Sequence, residues 1–289
     1  MIIAIVGPTG VGKTKLSIEL AKKYDAEIIN GDSTQIYRDI NIGTAKVTKE
    51  ETNGVKHHLI DHCDLNEEYT VYNFQKDGRA IINRLRSQNK NIIIVGGSGL
   101  YLSALLYDYQ FQEETKDHDI NLITYEEMVD ALNTLGINID KQNKQRLTRA
   151  YIKYIINNSP INENSKKMIY DATIIGLTTN REDLYQGINQ RVDLMIKSGL
   201  ASEVENLFYK YPNSKQLKTT IGYKEFIPYL NKEIELEEVI NQIKQNSRRF
   251  AKRQYTWLNN KMDVKWFDVN FDDFNETIDN VIAHLTKYL

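Results

Sequence analysis

Eight residues near the start of the chain, Gly7-Pro8-Thr9-Gly10-Val11-Gly12-Lys13-Thr14, have the types and spacing of an anion cradle. Glycines at both ends let such a loop curl until successive backbone N–H groups point inward at one phosphate. Lys13 brings a full positive charge to terminal phosphate oxygens, and the Thr14 hydroxyl suits a Mg²⁺ ion bridging them. A glycine-rich turn without function is the competing reading, and the flanks decide against it. Ile2-Ile3-Ala4-Ile5-Val6 supplies a buried strand before the loop, and Lys15 to Lys23 supplies a helix after it. The start of that helix adds partial positive charge of its own. A di- or triphosphate is expected here.

A second short strand, Ala26-Glu27-Ile28-Ile29-Asn30, ends in Gly31-Asp32-Ser33. In an open parallel sheet the residues just past a strand's C-terminal end face the ligand crevice, which sets Asp32 beside the cradle. A carboxylate there holds a metal, handles a proton, or merely caps the next turn. The run Asn91-Ile92-Ile93-Ile94-Val95 reads as a central strand and ends in Gly96-Gly97-Ser98-Gly99. A nucleotide hydrolase would carry a Mg²⁺-holding acid at that end. Its absence argues against a motor or a switch GTPase, and small residues there let a second ligand approach the backbone. His57, His58, His62 and Cys63 cluster in sequence, but no second cysteine or spaced histidine pair completes a metal site. A strand centred on Leu59-Ile60 is expected instead.

The elements that must position these groups follow from composition and periodicity. At 289 residues and 41% hydrophobic content the chain can bury a full core. Its net charge of −2 excludes bulk attraction to nucleic acid, so any basic surface must be local. One cysteine excludes a disulfide framework and fits a reducing cytoplasm. No stretch approaches the roughly 20 apolar residues of a membrane span, and no signal peptide is expected. Helices are expected over Tyr72 to Arg86, Leu184 to Ile196 and Ile243 to Met262, and strands over Ala172 to Leu177 and Val264 to Val269. Residues 113–165 turn polar, Asn- and Lys-rich, with helical patterns over Glu126 to Leu135 and Lys144 to Ile156. The expectation is an α/β fold: a P-loop NTPase-like parallel sheet flanked by helices, in two parts (1–110 and 169–289), with a helical insertion over 111–168.

Three sets of cations sit on these elements. Arg146 and Arg149 share a helix face in the insertion, either to meet a phosphate or only to be solvated. Arg191 could reach a diphosphate from the side opposite Lys13, or could be a surface charge. From Val239 through Met262 there is no acid, while Lys244, Arg248 and Lys252 stand four apart with Arg249 and Arg253 beside them. Phe250, Tyr255 and Trp257 interleave. The stripe fits a nucleic-acid backbone, against the plainer reading of a solvated amphipathic helix.

The chain also resembles the bacterial-type tRNA dimethylallyltransferases, or tRNA isopentenyltransferases. The resemblance is carried by GPTGVGKT from Gly7, DSTQIYRDINIGTAK from Asp32, VKHHLID from Val55 and VGGSGLYLSALL from Val95. It continues in GLTTNREDLYQGINQRVDLMI from Gly176, IGYKE from Ile221 and AKRQYTWL from Ala251. These stretches follow the family's order over nearly the whole chain. The resemblance implies transfer of a dimethylallyl group from dimethylallyl diphosphate to the N6 amine of the tRNA adenosine adjoining the anticodon on its 3′ side. It implies Mg²⁺ as the ion, the anticodon stem-loop of tRNA as partner, a cytoplasmic monomer, and no membrane. By the resemblance Asp32 accepts a proton or hydrogen bond from the adenine amine, and Thr9, Lys13, Thr14 and Arg191 stabilise the departing diphosphate. The tRNA-contacting positions it implies are Asp32, Ser33, Thr34, Gln35, Ser98, Gln145, Arg146, Arg149, Gly222, Tyr223, Lys224, Arg248, Lys252, Arg253, Gln254 and Trp257. Ser98 stands where the family more often has Thr, and residues 113–165 are shorter than its usual insertion. Two rival readings remain at this point: a P-loop small-molecule kinase, and a prenyltransferase acting on free adenine nucleotides.

Overall fold

The computed structural model describes residues 1–111, 123–137, 139, 143–156 and 167–287. It divides into two compact units, Met1–Tyr107 with Lys167–Leu289, and Asp108–Lys166, close to the boundaries at 111 and 168 expected for an insertion.

The first unit is built on β1 (Ile2–Val6), β2 (Ala26–Asn30), β3 (His57–His58), β4 (Asn91–Val95), β5 (Ala172–Thr178) and β6 (Lys265–Asp268). They form one six-stranded sheet in the order β3-β2-β4-β1-β5-β6, and every neighbouring pair is parallel. All five residues of β1 are buried, because a central parallel strand is covered on both faces. Alternation along it divides the core: Ile2, Ala4 and Val6 join one apolar cluster, and Ile3 and Ile5 the other. The expected strand at Leu59-Ile60 lies two residues earlier. Leu59 and Asp61 adopt φ of 59° and 51°, which turns the chain out of the sheet after His58.

Helices α1 (Lys13–Lys23), α2 (Val71–Ser87) and α3 (Gly99–Leu106) link the early strands. In the second unit, α4 (Tyr125–Thr134) and α5 (Lys144–Tyr151), continued by a π turn over Ile152–Ile156, enclose Met128, Leu132, Leu147 and Ala150. Back in the first unit come α6 (Arg181–Lys197), α7 (Leu200–Lys210), α8 (Lys215–Thr219), α9 (Ile227–Leu230), α10 (Leu236–Lys261) and α11 (Phe274–Leu285). Helix α10 starts seven residues before the expected Ile243, with Val239 and Ile243 as its first buried positions. Among the described residues no helix is long and apolar enough to cross a membrane.

Candidate active site

Because the sheet is parallel, the loops after β1, β2 and β4 open at one edge. They are drawn close together. Gly31 donates its N–H to the Val95 carbonyl at 2.7 Å, and Gly96 donates to Ile5 at 3.1 Å. A Cβ on Gly96 would collide with the backbone of Gly31, so only glycine permits this approach. A cavity of about 460 Å³ results, into which Thr9, Lys13, Thr14, Asp32 and Arg191 all face.

The cradle takes the shape its spacing requires. Gly10 and Gly12 adopt φ of 90° and 86°, and Gly12 caps α1 without a side chain in the way. The Lys13 ammonium bends back to donate to the Pro8 carbonyl at 2.6 Å. Burial, helped by the nearby Arg191 guanidinium, pushes the Lys13 pKa down to about 8, and Asp32 opposes the shift. Arg191 reaches in from α6, with its guanidinium 3.5 Å from the Thr44 carbonyl. Burial lowers its pKa too, against the pull of Asp32 and Glu51. Lys13, Thr14 and Arg191 also line a second cavity of about 510 Å³, with Gly10, Gly12 and Glu51. An anion entering from either side meets the same two cations.

Asp32 divides its two oxygens between structure and site. Oδ1 accepts from the Thr34 N–H at 2.9 Å and the Thr34 hydroxyl at 2.7 Å, as a turn cap does. Oδ2 has no hydrogen bond or ion pair among the described residues, while Asp32 is a cavity wall. Of the readings open for this carboxylate, the turn cap is met at Oδ1. Its neighbours hold the rim. The Ser33 N–H donates to the Ser98 hydroxyl at 3.1 Å, and Gln35 Nε2 donates to the carbonyls of Thr44 and Ala45 at 3.1 and 3.3 Å.

The residues suggested for RNA contact separate into two groups. Arg249, Lys252 and Arg253 are exposed on α10, Arg253 and Lys224 line the cavity, and Arg146 and Arg149 are exposed on α5. The side chain of Gln145 lies outside the described residues. Others turn inward. The single basic stripe is split, because Lys244 pairs with Asp193 at 2.6 Å and Arg248 donates to Asn189 at 2.6 Å. Residues four apart on α10 thus meet residues four apart on α6, and those cations are spent there. Tyr223 is fully buried, with its hydroxyl donating to Glu203 at 2.6 Å and accepting from the Gly43 N–H at 3.2 Å. Burial next to the Glu203 carboxylate raises its pKa strongly. Gly222 is buried and donates its N–H to Glu225 at 2.8 Å. Gln254 is only 5% exposed and has both amide ends bonded within the protein. Trp257 packs against Gly99, and its indole N–H has no partner among the described residues.

The family model described as IPP transferase matches residues 35–261. This chain belongs to the IPP transferase family. A tRNA dimethylallyltransferase of Macrococcus caseolyticus is 40% identical over 99% of this chain and 96% of its own. The crystal structure of a tRNA delta(2)-isopentenylpyrophosphate transferase from Staphylococcus epidermidis covers 100% of this chain and 99% of its own, at 36% identity and a TM-score of 0.77. A eukaryotic dimethylallyltransferase acting on tRNA covers 92% of this chain and 73% of its own, at 30% identity and a TM-score of 0.79.

The family match begins at Gln35, just after the cradle and Asp32, and the nearly full-length relatives extend over both. One supporting residue left no trace in the sequence. Glu203, on α7, accepts N–H groups from Ile42 and Gly43 besides the Tyr223 hydroxyl, and so anchors the loop whose Thr44 carbonyl meets Arg191. Some 160 positions separate donor and acceptor, and no local pattern announces such a pair. The histidines of the 57–62 cluster turn to separate partners. His57 faces the Val55 carbonyl, His58 Glu27, and His62 Asp77. Among the described residues no group of three or more His, Cys, Asp or Glu is placed to hold a metal ion.

Proposed function

We propose that this enzyme transfers a dimethylallyl group from dimethylallyl diphosphate to tRNA, at the N6 amine of the adenosine adjoining the anticodon on its 3′ side. One observation carries the reading: a phosphate cradle and a carboxylate with one unbonded oxygen share a cavity whose central strand ends in glycines rather than in a metal-holding acid. The diphosphate is then a leaving group, not a source of a transferred phosphoryl group.

The chemistry follows from these residues. An adenine amine is a weak nucleophile, because its lone pair is conjugated into the ring. An allylic carbon carries positive charge well, so the C–O bond to diphosphate breaks largely before the C–N bond forms. Negative charge builds on the departing diphosphate. Lys13, Arg191 and the backbone N–H groups of the cradle are held ready for it, and such preorganised donors are worth roughly 2.7–4 kcal/mol each. As the C–N bond forms, Asp32 Oδ2 takes the proton released from the amine, while Oδ1 stays fixed by Thr34. The donors present fit Mg²⁺, which binds through few protein groups and mainly through phosphate oxygens and water. Thr14 would hold it with the diphosphate, and its charge would further neutralise the leaving group. The target base must leave the anticodon-loop stack to enter the cavity, at a cost of a few kcal/mol. Phosphate contacts from Arg249, Lys252 and Arg253 offset that cost.

Labelled dimethylallyl diphosphate offered separately with tRNA and with AMP tests the reading. Label is expected on tRNA alone, with one diphosphate released per transfer. Label on AMP would favour a nucleotide prenyltransferase. ATP consumption with no label on either acceptor would favour a kinase.

A further inference from the structure

We propose that Gln254 is a positioning residue for the reaction, one that sets the diphosphate loop through Thr9 from the helix that presents Lys252 and Arg253 to RNA. The choice of ligands in its test rests on the transferase reading above.

Gln254 Oε1 accepts the N–H of Thr9 at 3.1 Å, and Nε2 donates to the Gly97 carbonyl at 3.0 Å. The two partners fix which end of the amide is which, since an N–H needs the oxygen and a carbonyl needs the nitrogen. One buried side chain therefore bridges the loop after β1 to the loop after β4. Gly97 is what lets it in, because a Cβ there would collide with the Gln254 amide. The next residue extends the bridge. Tyr255 shares its hydroxyl with the Thr178 hydroxyl and accepts from the Thr179 N–H at 3.3 Å. Residues 254 and 255 thus tie α10 to the loops after β1 and β4 and to the end of β5.

The bond to Thr9 has a direct consequence. That N–H is committed to Gln254, so it is not one of the donors that meets the anion. Its orientation instead fixes the peptide between Pro8 and Thr9, and the Pro8 carbonyl is the group that holds Lys13. Gln254 acts on the diphosphate through these groups without touching it. Removal of this buried amide would leave the Thr9 N–H and the Gly97 carbonyl unsatisfied, so the loop would move to recover them. The RNA side of the same turn is distinct: Lys252 and Arg253 are exposed while Gln254 is not.

The test compares the Gln254→Leu and Gln254→Glu variants with the parent protein, by titration with inorganic diphosphate plus Mg²⁺, by tRNA binding and by steady-state transfer. Gln254→Leu removes both bonds; it is expected to weaken diphosphate binding and raise the KM for dimethylallyl diphosphate about tenfold or more. Its tRNA affinity is expected to stay within about twofold of the parent, since phosphate contacts from exposed cations are untouched. Gln254→Glu keeps the shape and separates a bonding role from a packing one. The protonated carboxylic acid reproduces both bonds, whereas the carboxylate presents a negative charge to the Gly97 carbonyl. Its activity relative to the parent is therefore expected to climb as the pH falls. A relative activity that is flat with pH, or diphosphate binding left intact by Gln254→Leu while tRNA affinity drops about tenfold, would overturn the proposal and make Gln254 an RNA ligand. If the parent protein binds inorganic diphosphate yet transfers nothing to tRNA, the transferase reading fails, and the diphosphate titration still decides the role of Gln254.

Discussion

The cradle and helix α10 are both cationic, yet they keep their cations in opposite ways. Lys13 and Arg191 are enclosed with their pKa values pushed down by burial, and each has the carboxylate of Asp32 for company. Arg249, Lys252 and Arg253 stand in solvent. A buried cation acts on one atom at a fixed place and is strong because water is excluded. An exposed one acts through a field that salt screens, which suits a long polyanion better than a single leaving group. Lys244 and Arg248 lie between these cases, since α6 has already claimed them. On the proposed transfer, the difference fits the first set to chemistry and the second to grip.

The largest effect should come from the enclosed groups. Asp32→Ala is expected to lower the transfer rate about 10²–10⁴-fold while leaving the tRNA dissociation constant nearly unchanged, as single-turnover and filter-binding measurements would show. Substantial turnover in that variant would remove Asp32 from its role and break the division. A smaller effect is expected on the exposed side. Replacing Arg249, Lys252 and Arg253 together with alanine should weaken tRNA binding and lower the slope of log affinity against log salt by about 2–3, at roughly 0.7–0.9 per phosphate contact. Lys244→Met should leave that slope alone; a slope that fell equally would put Lys244 back among the RNA-facing charges. The smallest effect is a pH dependence. The free Lys13 has a pKa of about 8, lowered from 10.5 by burial, and in the proposed reaction it is the protonated form that meets the diphosphate. Affinity for inorganic diphosphate should hold below that pH and decline as pH rises through it, and Lys13→Met should flatten the decline. A parent protein whose affinity ignores pH across this range would show that the buried ammonium is not what the anion meets.

The helix that looked most informative by composition is where sequence and structure part. Its charges were countable, but their directions depended on which face packs. Ala251, Gln254 and Leu258 are spaced three and four apart and all are buried, so periodicity carried a faint sign that Gln254 turns inward. A polar side chain at a core position is easily passed over, because polarity alone argues for the surface. Tyr223 was hidden for a related reason. Its neighbours are Glu203 and Gly43, contributed by distant parts of the chain. The strand at His57–His58 was misplaced because its end is set by the left-handed turn at Leu59, a residue type that rarely adopts one.

By itself the sequence determined the cradle, the central strands and the family, because each is written in contiguous residues whose backbone geometry or burial follows from local chemistry. In the cradle, Gly10 and Gly12 take up φ of 90° and 86°, a geometry that residue type alone foreshadows. The tertiary structure alone decided that Asp32 spends one oxygen on Thr34, that Arg191 and Lys13 line one cavity, and that Lys244 and Arg248 are taken by α6. Those facts are distances between residues far apart in the chain, and an ionisable group's behaviour depends on which charges and how little water the fold brings beside it.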